Sequence, residues 1–224
     1  MTTNNTSHQQ MVYNIREALE TAGLETPMRK MTEENIRANG GLYPTIEGSH
    51  SVIMQVLGLD LSDDSLQGTP KRIAKMYIDE LMYGLDYDNF PKCTVFENKA
   101  KYDEMLAVSN ITVQSMCEHH FLPFIGTATV AYIPGAYFLG LSKFNRVVDF
   151  FCRRPQVQER LTEQISLAFR TILNTEDVAV VIKADHYCTK LRGAKDNGTT
   201  ISSKLSGKFR DVPELRSEFL TLTR

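Results

Sequence analysis

The sequence predicts an α+β fold. Three observations carry this: apolar spacing changes from about three and a half to two at Met105, two successive helical segments follow the first strands, and a Val-rich strand at residues 178–184 follows those helices. Taking the chain in order, residues 1–8 are polar and expected to fray, whereas Met11, Val12, Ile15, Leu19 and Leu24 fit an amphipathic helix over residues 9–24. Residues 26–43, with Pro27 and the pair Gly40-Gly41, read as a linker holding one short helix. A helix is expected at residues 46–57, and another opens at Thr69-Pro70, an N-cap followed by proline, with Ile73, Met76, Tyr77 and Leu81 on one stripe.

The alternating runs Ile111, Val113, Ser115 and Ala128, Val130, Tyr132 predict an antiparallel pair of strands, the second closed by Pro134-Gly135. Ser142 is expected to cap a helix in which Phe144, Val147, Val148 and Phe151 share a face, ending near Arg153-Arg154-Pro155. A longer helix runs through Val157, Leu161, Ile165, Phe169 and Ile172 to Asn174. Residues 193–207 read as loop or twisted strand, and 213–222 as a terminal helix; no internal repeat is present.

Composition excludes several classes. With 224 residues, 42% hydrophobic content, 11 Phe and 9 Tyr, the chain can enclose a core and is not disordered as a whole. It has no run of about 18 apolar residues that would span a bilayer. Lys plus Arg number 25 against 27 Asp plus Glu, a net charge of −2, which argues against a protein whose main work is coating nucleic acid. The four cysteines do not form a disulfide framework at this size, and the opening MTTNNTSHQQ lacks an apolar leader core, so a reducing cytoplasm is the expected compartment.

Two short clusters concentrate the metal-binding side chains. Cys117-Glu118-His119-His120 sets a thiolate and an imidazole three residues apart, a spacing one tight turn can fold round a zinc ion. Asp185-His186-Tyr187-Cys188 ends the Val-rich strand, where period two is expected to turn His186 and Cys188 to one face. Either cluster alone is ordinarily buried thiols and strand-end histidines, but the two together point to a metal. A closed structural site of Cys117, His120, His186 and Cys188 and an open one with three protein ligands both fit the residues.

Lys143 and Arg146 follow Ser142 at a helix start, where the helix dipole disfavours cations unless an anion sits among them. Lys71 and Arg72 repeat the arrangement, and Arg192 lies just beyond Cys188; a polyphosphate would satisfy all of them. Glu159, early in its helix, is an ordinary dipole-favoured carboxylate that could also accept two N–H groups from a purine edge.

The stretches Ser115-Met116-Cys117-Glu118-His119-His120-Phe121, Gly140-Leu141-Ser142-Lys143 and Arg153-Arg154-Pro155-Gln156-Val157-Gln158-Glu159-Arg160-Leu161 closely resemble GTP cyclohydrolase I. So do His186-Tyr187-Cys188, Arg192-Gly193, Glu218-Phe219-Leu220 and, upstream, Thr69-Pro70-Lys71-Arg72-Ile73-Ala74. The resemblance covers residues 46–224 and implies three regions: a variable helical extension over 1–45, a helical part over 46–104, and a catalytic T-fold over 105–224. The T-fold is an antiparallel sheet layered with two helices, closed into a barrel by oligomerisation, here implying a homodecamer of two stacked pentamers. The implied reaction takes GTP and water to formate and 7,8-dihydroneopterin triphosphate, the first step towards tetrahydrofolate or tetrahydrobiopterin. The resemblance makes Cys117, His120 and Cys188 ligands of Zn2+, which selects the open site, and His119, His186 and Ser142 the catalytic residues. Glu159 is implied to hold guanine, and Lys143, Arg146, Arg192 and Arg72 the triphosphate, with Arg72 from a neighbouring subunit.

Overall fold

The computed structural model describes residues 3–29 and 41–223. Its residues form two compact units, one of 1–26 with 84–224 and a smaller one of 27–83. The short helix expected within 26–43 falls largely on residues outside those described. Among the described residues no helix is long and apolar enough to cross a membrane.

In the larger unit, α1 (Thr3–Thr21) starts earlier than the apolar spacing indicates, and it buries Ile15 and Leu19 completely. The central sheet contains β2 (Leu106–Cys117), β3 (Pro123–Tyr132), β5 (Pro155–Gln156), β6 (Val178–His186) and β7 (Thr199–Leu205), in the order β5-β2-β3-β6-β7. All neighbours are antiparallel except β2 and β5. Two further strands, β1 (Val95–Glu97) and β4 (Tyr137–Leu139), pair with each other. The expected hairpin of β2 and β3 is present, with a register shift between Val108 and Ile111 where Asn110 takes a left-handed φ of 56°.

Helices α4 (Leu141–Cys152) and α5 (Gln158–Leu173) lie over one face of this sheet. Because successive side chains of a strand point to opposite faces, Val130 and Val180 join the core beneath α4 and α5, while Ala131, Ala179 and Val181 meet Phe209 and Phe219 on the other. Those two phenylalanines come from α7 (Lys208–Asp211) and α8 (Pro213–Leu222). The sheet is therefore covered on both faces, which gives the near-continuous apolar run of β6 its reason. Gly126 of β3 leaves no room for a side chain against β6; a Cβ there would stand 1.9 Å from the Lys183 carbonyl oxygen.

Two expected caps are absent. Ser142 sits inside the first turn of α4, whose N-cap position is Gly140 without a side-chain cap, because the helix begins two residues earlier than the serine would set it. The smaller unit holds α2 (Leu42–Val56) and α3 (Thr69–Lys75), continued by a wider helical turn over Met76–Leu81. Thr69 there is already helical; Gly68 precedes it, and the Thr69 hydroxyl accepts a 2.7 Å hydrogen bond from the Arg72 guanidinium. Asn174 ends α5 in the left-handed conformation with φ 50°, as the end of the apolar stripe indicates.

Candidate metal centre and active site

The site forms where β2 and β6, which flank β3, end at the same edge of the sheet. Cys117 is the last residue of β2, and the turn that follows is closed by hydrogen bonds from Cys117 N to Leu122 O at 2.8 Å and from Phe121 N to Cys117 O at 2.9 Å. Phe121 adopts a left-handed φ of 52° to complete it. A second set of contacts fastens the turn to the start of α5. Glu118 N donates to Gln156 O at 3.0 Å, and the Glu118 carboxylate is ion-paired with Arg160, whose guanidinium also reaches Pro155 O.

His186 ends β6 opposite Phe124, whose ring stacks on the imidazole at 4.7 Å with an interplanar angle of 12°. The chain then enters α6 (Tyr187–Lys190). Cys188 thus returns to the site on a helical turn, not by strand alternation, because the strand stops at His186. Its Sγ lies 3.8 Å from the Cys117 Sγ, and the ligand atoms of Cys117, His186 and Cys188 all lie within 4.8 Å of one another. Two Zn–S bonds of about 2.3 Å at a tetrahedral angle separate their sulfurs by about 3.8 Å, so the thiol pair fits zinc.

Burial, reinforced by the neighbouring Cys117 thiol, pushes the Cys188 thiol above its ordinary pKa, and Arg192 pulls weakly the other way. Burial also lowers the His186 imidazole below its usual value, opposed by the carboxylates of Glu159 and Asp185. The remaining cysteines belong to the core: burial raises Cys93 to about 11 and the fully enclosed Cys152 to about 12, leaving both as inert thiols.

This group of Cys117, which is buried, with the half-buried His186 and Cys188 could hold a metal ion. The family model for GTP cyclohydrolase I matches residues 46–224. GTP cyclohydrolase 1 of Mannheimia succiniciproducens is 54% identical over 209 residues, covering 93% of this chain and 94% of that protein. The enzyme of the same name from Aeromonas salmonicida is 53% identical over 216 residues, 96% of this chain and 97% of its own, and that of Salmonella gallinarum 54% over 211 residues, 94% of each.

The chain belongs to the GTP cyclohydrolase I family.

For a GTP cyclohydrolase I, the disposition of the expected site residues is informative. Cys117, Cys188 and His186 are drawn together, and the His119 ring nitrogen Nδ1 lies 3.8 Å from the Cys117 sulfur. His120 is exposed on the turn, outside that close group. Glu159 is exposed at the start of α5, near enough to His186 to act on its charge, and Arg192 acts likewise on Cys188. Ser142 and Arg146 are exposed and Lys143 half-buried on the opening turns of α4. Arg72 belongs to the smaller unit, where its guanidinium donates to Thr69 Oγ1 and, at 3.2 Å, to Ser65 O.

Three supporting residues of this GTP cyclohydrolase I escape sequence reasoning. Gln158 is 1% exposed and contacts His186, and Arg160 holds the Cys117 turn through Glu118. Arg154, just after α4, is 1% exposed, paired with Glu25 at 3.0 Å and set over the rings of Tyr87, Phe150 and Phe151. A polar residue beside an apolar stripe looks solvated in sequence; only the strands packed over α5 reveal the burial of Gln158.

Proposed function

We propose that this chain hydrolyses GTP at guanine C8, releasing formate and giving 7,8-dihydroneopterin triphosphate. The observation that carries it is the pair of thiols 3.8 Å apart with two imidazoles, His119 and His186, beside them. Cys117, Cys188 and His120 would hold zinc, the third ligand taken from the family resemblance. Bound zinc supplies Lewis acidity that makes water nucleophilic near neutral pH.

The rest is work for the protein's own groups. Glu159 accepts two N–H bonds from the guanine edge, an arrangement only a base with adjacent donors can satisfy, and so orients C8 towards the thiol pair. His119 and His186 are the imidazoles placed to deliver a proton to the ring nitrogen as water adds to C8, and to accept one as formate leaves. The burial that lowers His186 keeps it neutral and ready to accept. Ser142 and His186 move protons at the sugar during its rearrangement and ring closure. Lys143, Arg146, Arg192 and Arg72 balance the triphosphate, the guanidinium groups by forked hydrogen bonds.

A T-fold suits the order β5-β2-β3-β6-β7, since β7 and the two-residue β5 are the sheet's edges within the chain, open to pairing with further copies. Closure of five such sheets, stacked twice, would give the homodecamer, with Arg72 reaching a neighbour's site. The four free cysteines suit a reducing cytoplasm.

A second reading is favoured by the close group of Cys117, His186 and Cys188: His186 as a zinc ligand. Zinc content and formate release measured on His120→Ala and His186→Ala separate the two. If His120 is the ligand, His120→Ala loses zinc, while His186→Ala keeps it and loses turnover. Zinc lost from His186→Ala and retained by His120→Ala establishes the second reading.

A further inference from the structure

Gln158 is the first residue of α5, and its buried amide lies between β6 and β7. Its Nε2 stands 3.1 Å from the backbone oxygens of both Ile182 and Thr200, and 3.0 Å from Ser202 Oγ. Backbone carbonyls only accept, so the NH2 end of the amide must face them. Reversing the amide would press its oxygen against two other oxygens. The hydroxyls agree with this direction. The Thr162 hydroxyl donates to Gln158 O at 2.8 Å, so the Ser202 hydroxyl supplies the proton of the 2.7 Å contact between Ser202 and Thr162. Ser202 then presents a lone pair, not a proton, to the Gln158 amide.

The other end of the amide faces the active site. Oε1 lies 2.8 Å from His186 Nε2, and an amide oxygen only accepts, so that ring nitrogen carries the hydrogen. Phe124, stacked on the ring, holds its plane. We infer that Gln158 is a positioning residue that locks His186 as the Nε2–H tautomer, so that His186 acts only through Nδ1. The tautomer is thereby dictated by two backbone carbonyls inside the sheet, through one glutamine. This holds whether Nδ1 ligates zinc or moves a proton, and it gives a reason for a glutamine beside the solvent-facing Glu159.

The contribution of Gln158 to turnover rests on the GTP reading above, whereas the tautomer does not. The test is solid-state 15N spectroscopy of protein labelled at histidine nitrogen, metal-free and zinc-loaded, at a pH well above the ordinary imidazole value near 6.5. His186 is assigned by the signal lost in His186→Ala. The wild type should show a protonated Nε2 with Nδ1 unprotonated in the metal-free sample. Gln158→Met should introduce an Nδ1–H population and lower kcat by about 10- to 100-fold. Ser202→Ala, which leaves both carbonyls in place, should keep the wild-type tautomer. A wild-type spectrum showing Nδ1–H overturns the inference even if Gln158→Met does not fold, as does a folded Gln158→Met with the tautomer unchanged. Absence of formate release with the expected tautomer would count against the GTP reading and leave this one standing.

Discussion

The Cys117 and Cys188 sulfurs lie 3.8 Å apart although one ends a strand and the other sits on a helical turn 71 residues later. That separation is too long for a disulfide, whose sulfurs are about 2.05 Å apart, and matches two thiolates on one tetrahedral ion. Cys117→Ser or Cys188→Ser should therefore reduce bound zinc to well below one per chain, measured by elemental analysis of purified protein, and abolish formate release. Full zinc content in both variants would place the metal elsewhere.

Zinc uptake should strengthen as pH rises. The Cys188 thiol is held above its ordinary pKa by burial and by Cys117, so in the metal-free protein it keeps its proton across the neutral range. Zinc binds the thiolate and must displace that proton. Protons compete with the metal at every pH below the thiol pKa, so lowering pH weakens binding. Chelator competition between pH 6 and 8 should give an apparent affinity that increases with pH, with proton release on loading.

The Arg160–Glu118 pair ties the Cys117 turn to α5. Glu118→Gln should loosen that turn and lower zinc affinity or kcat by about 10- to 100-fold, the usual cost of losing a contact that orients ligands. Chelator competition and formate assays on the same sample read both quantities, and a variant with wild-type values in each removes Arg160 from the account.

Arg154 makes a different prediction, about folding. With only 1% of it exposed, removing its partner by Glu25→Gln strands a buried guanidinium and should destabilise the fold by about 3 kcal/mol. Denaturant unfolding checks this. Since Glu25 lies just after α1, the pair fastens the N-terminal helix to the sheet unit, beyond what Ile15 and Leu19 contribute by packing.

Substrate contacts should show in KM and kcat. Glu159→Ala removes the group proposed to hold guanine and should depress kcat/KM for GTP by a factor of about 100, while leaving zinc content unchanged. Equal kcat/KM for variant and wild type would free Glu159 for its ordinary helix-start role.

Most elements of the fold were legible because their apolar positions repeat: Phe144, Val147, Val148 and Phe151 are all buried as their spacing requires, and α8 occupies the expected residues. The hairpin was visible for the same reason. Residues 193–207 were ambiguous because β7 is an edge strand with mostly exposed or half-exposed side chains, so it lacks a buried face to print a period on the sequence. Among site residues, the two Cys-His clusters were legible from chemistry alone, but the route of Cys188 was not: period two was extended past His186, where the chain had already turned helical. Gln158, Arg160 and Arg154 were illegible because each is a polar residue, buried or half-buried, held by a partner distant in sequence: Ile182 and Thr200 for the first, Glu118 for the second, Glu25 for the third.

The most direct test of the account is formate released from GTP by the zinc-loaded protein, measured against the same preparation stripped of metal. The account predicts one formate per GTP consumed, with a fluorescent neopterin after oxidation, and activity restored when zinc is returned. Formate no higher than in the stripped control would contradict it.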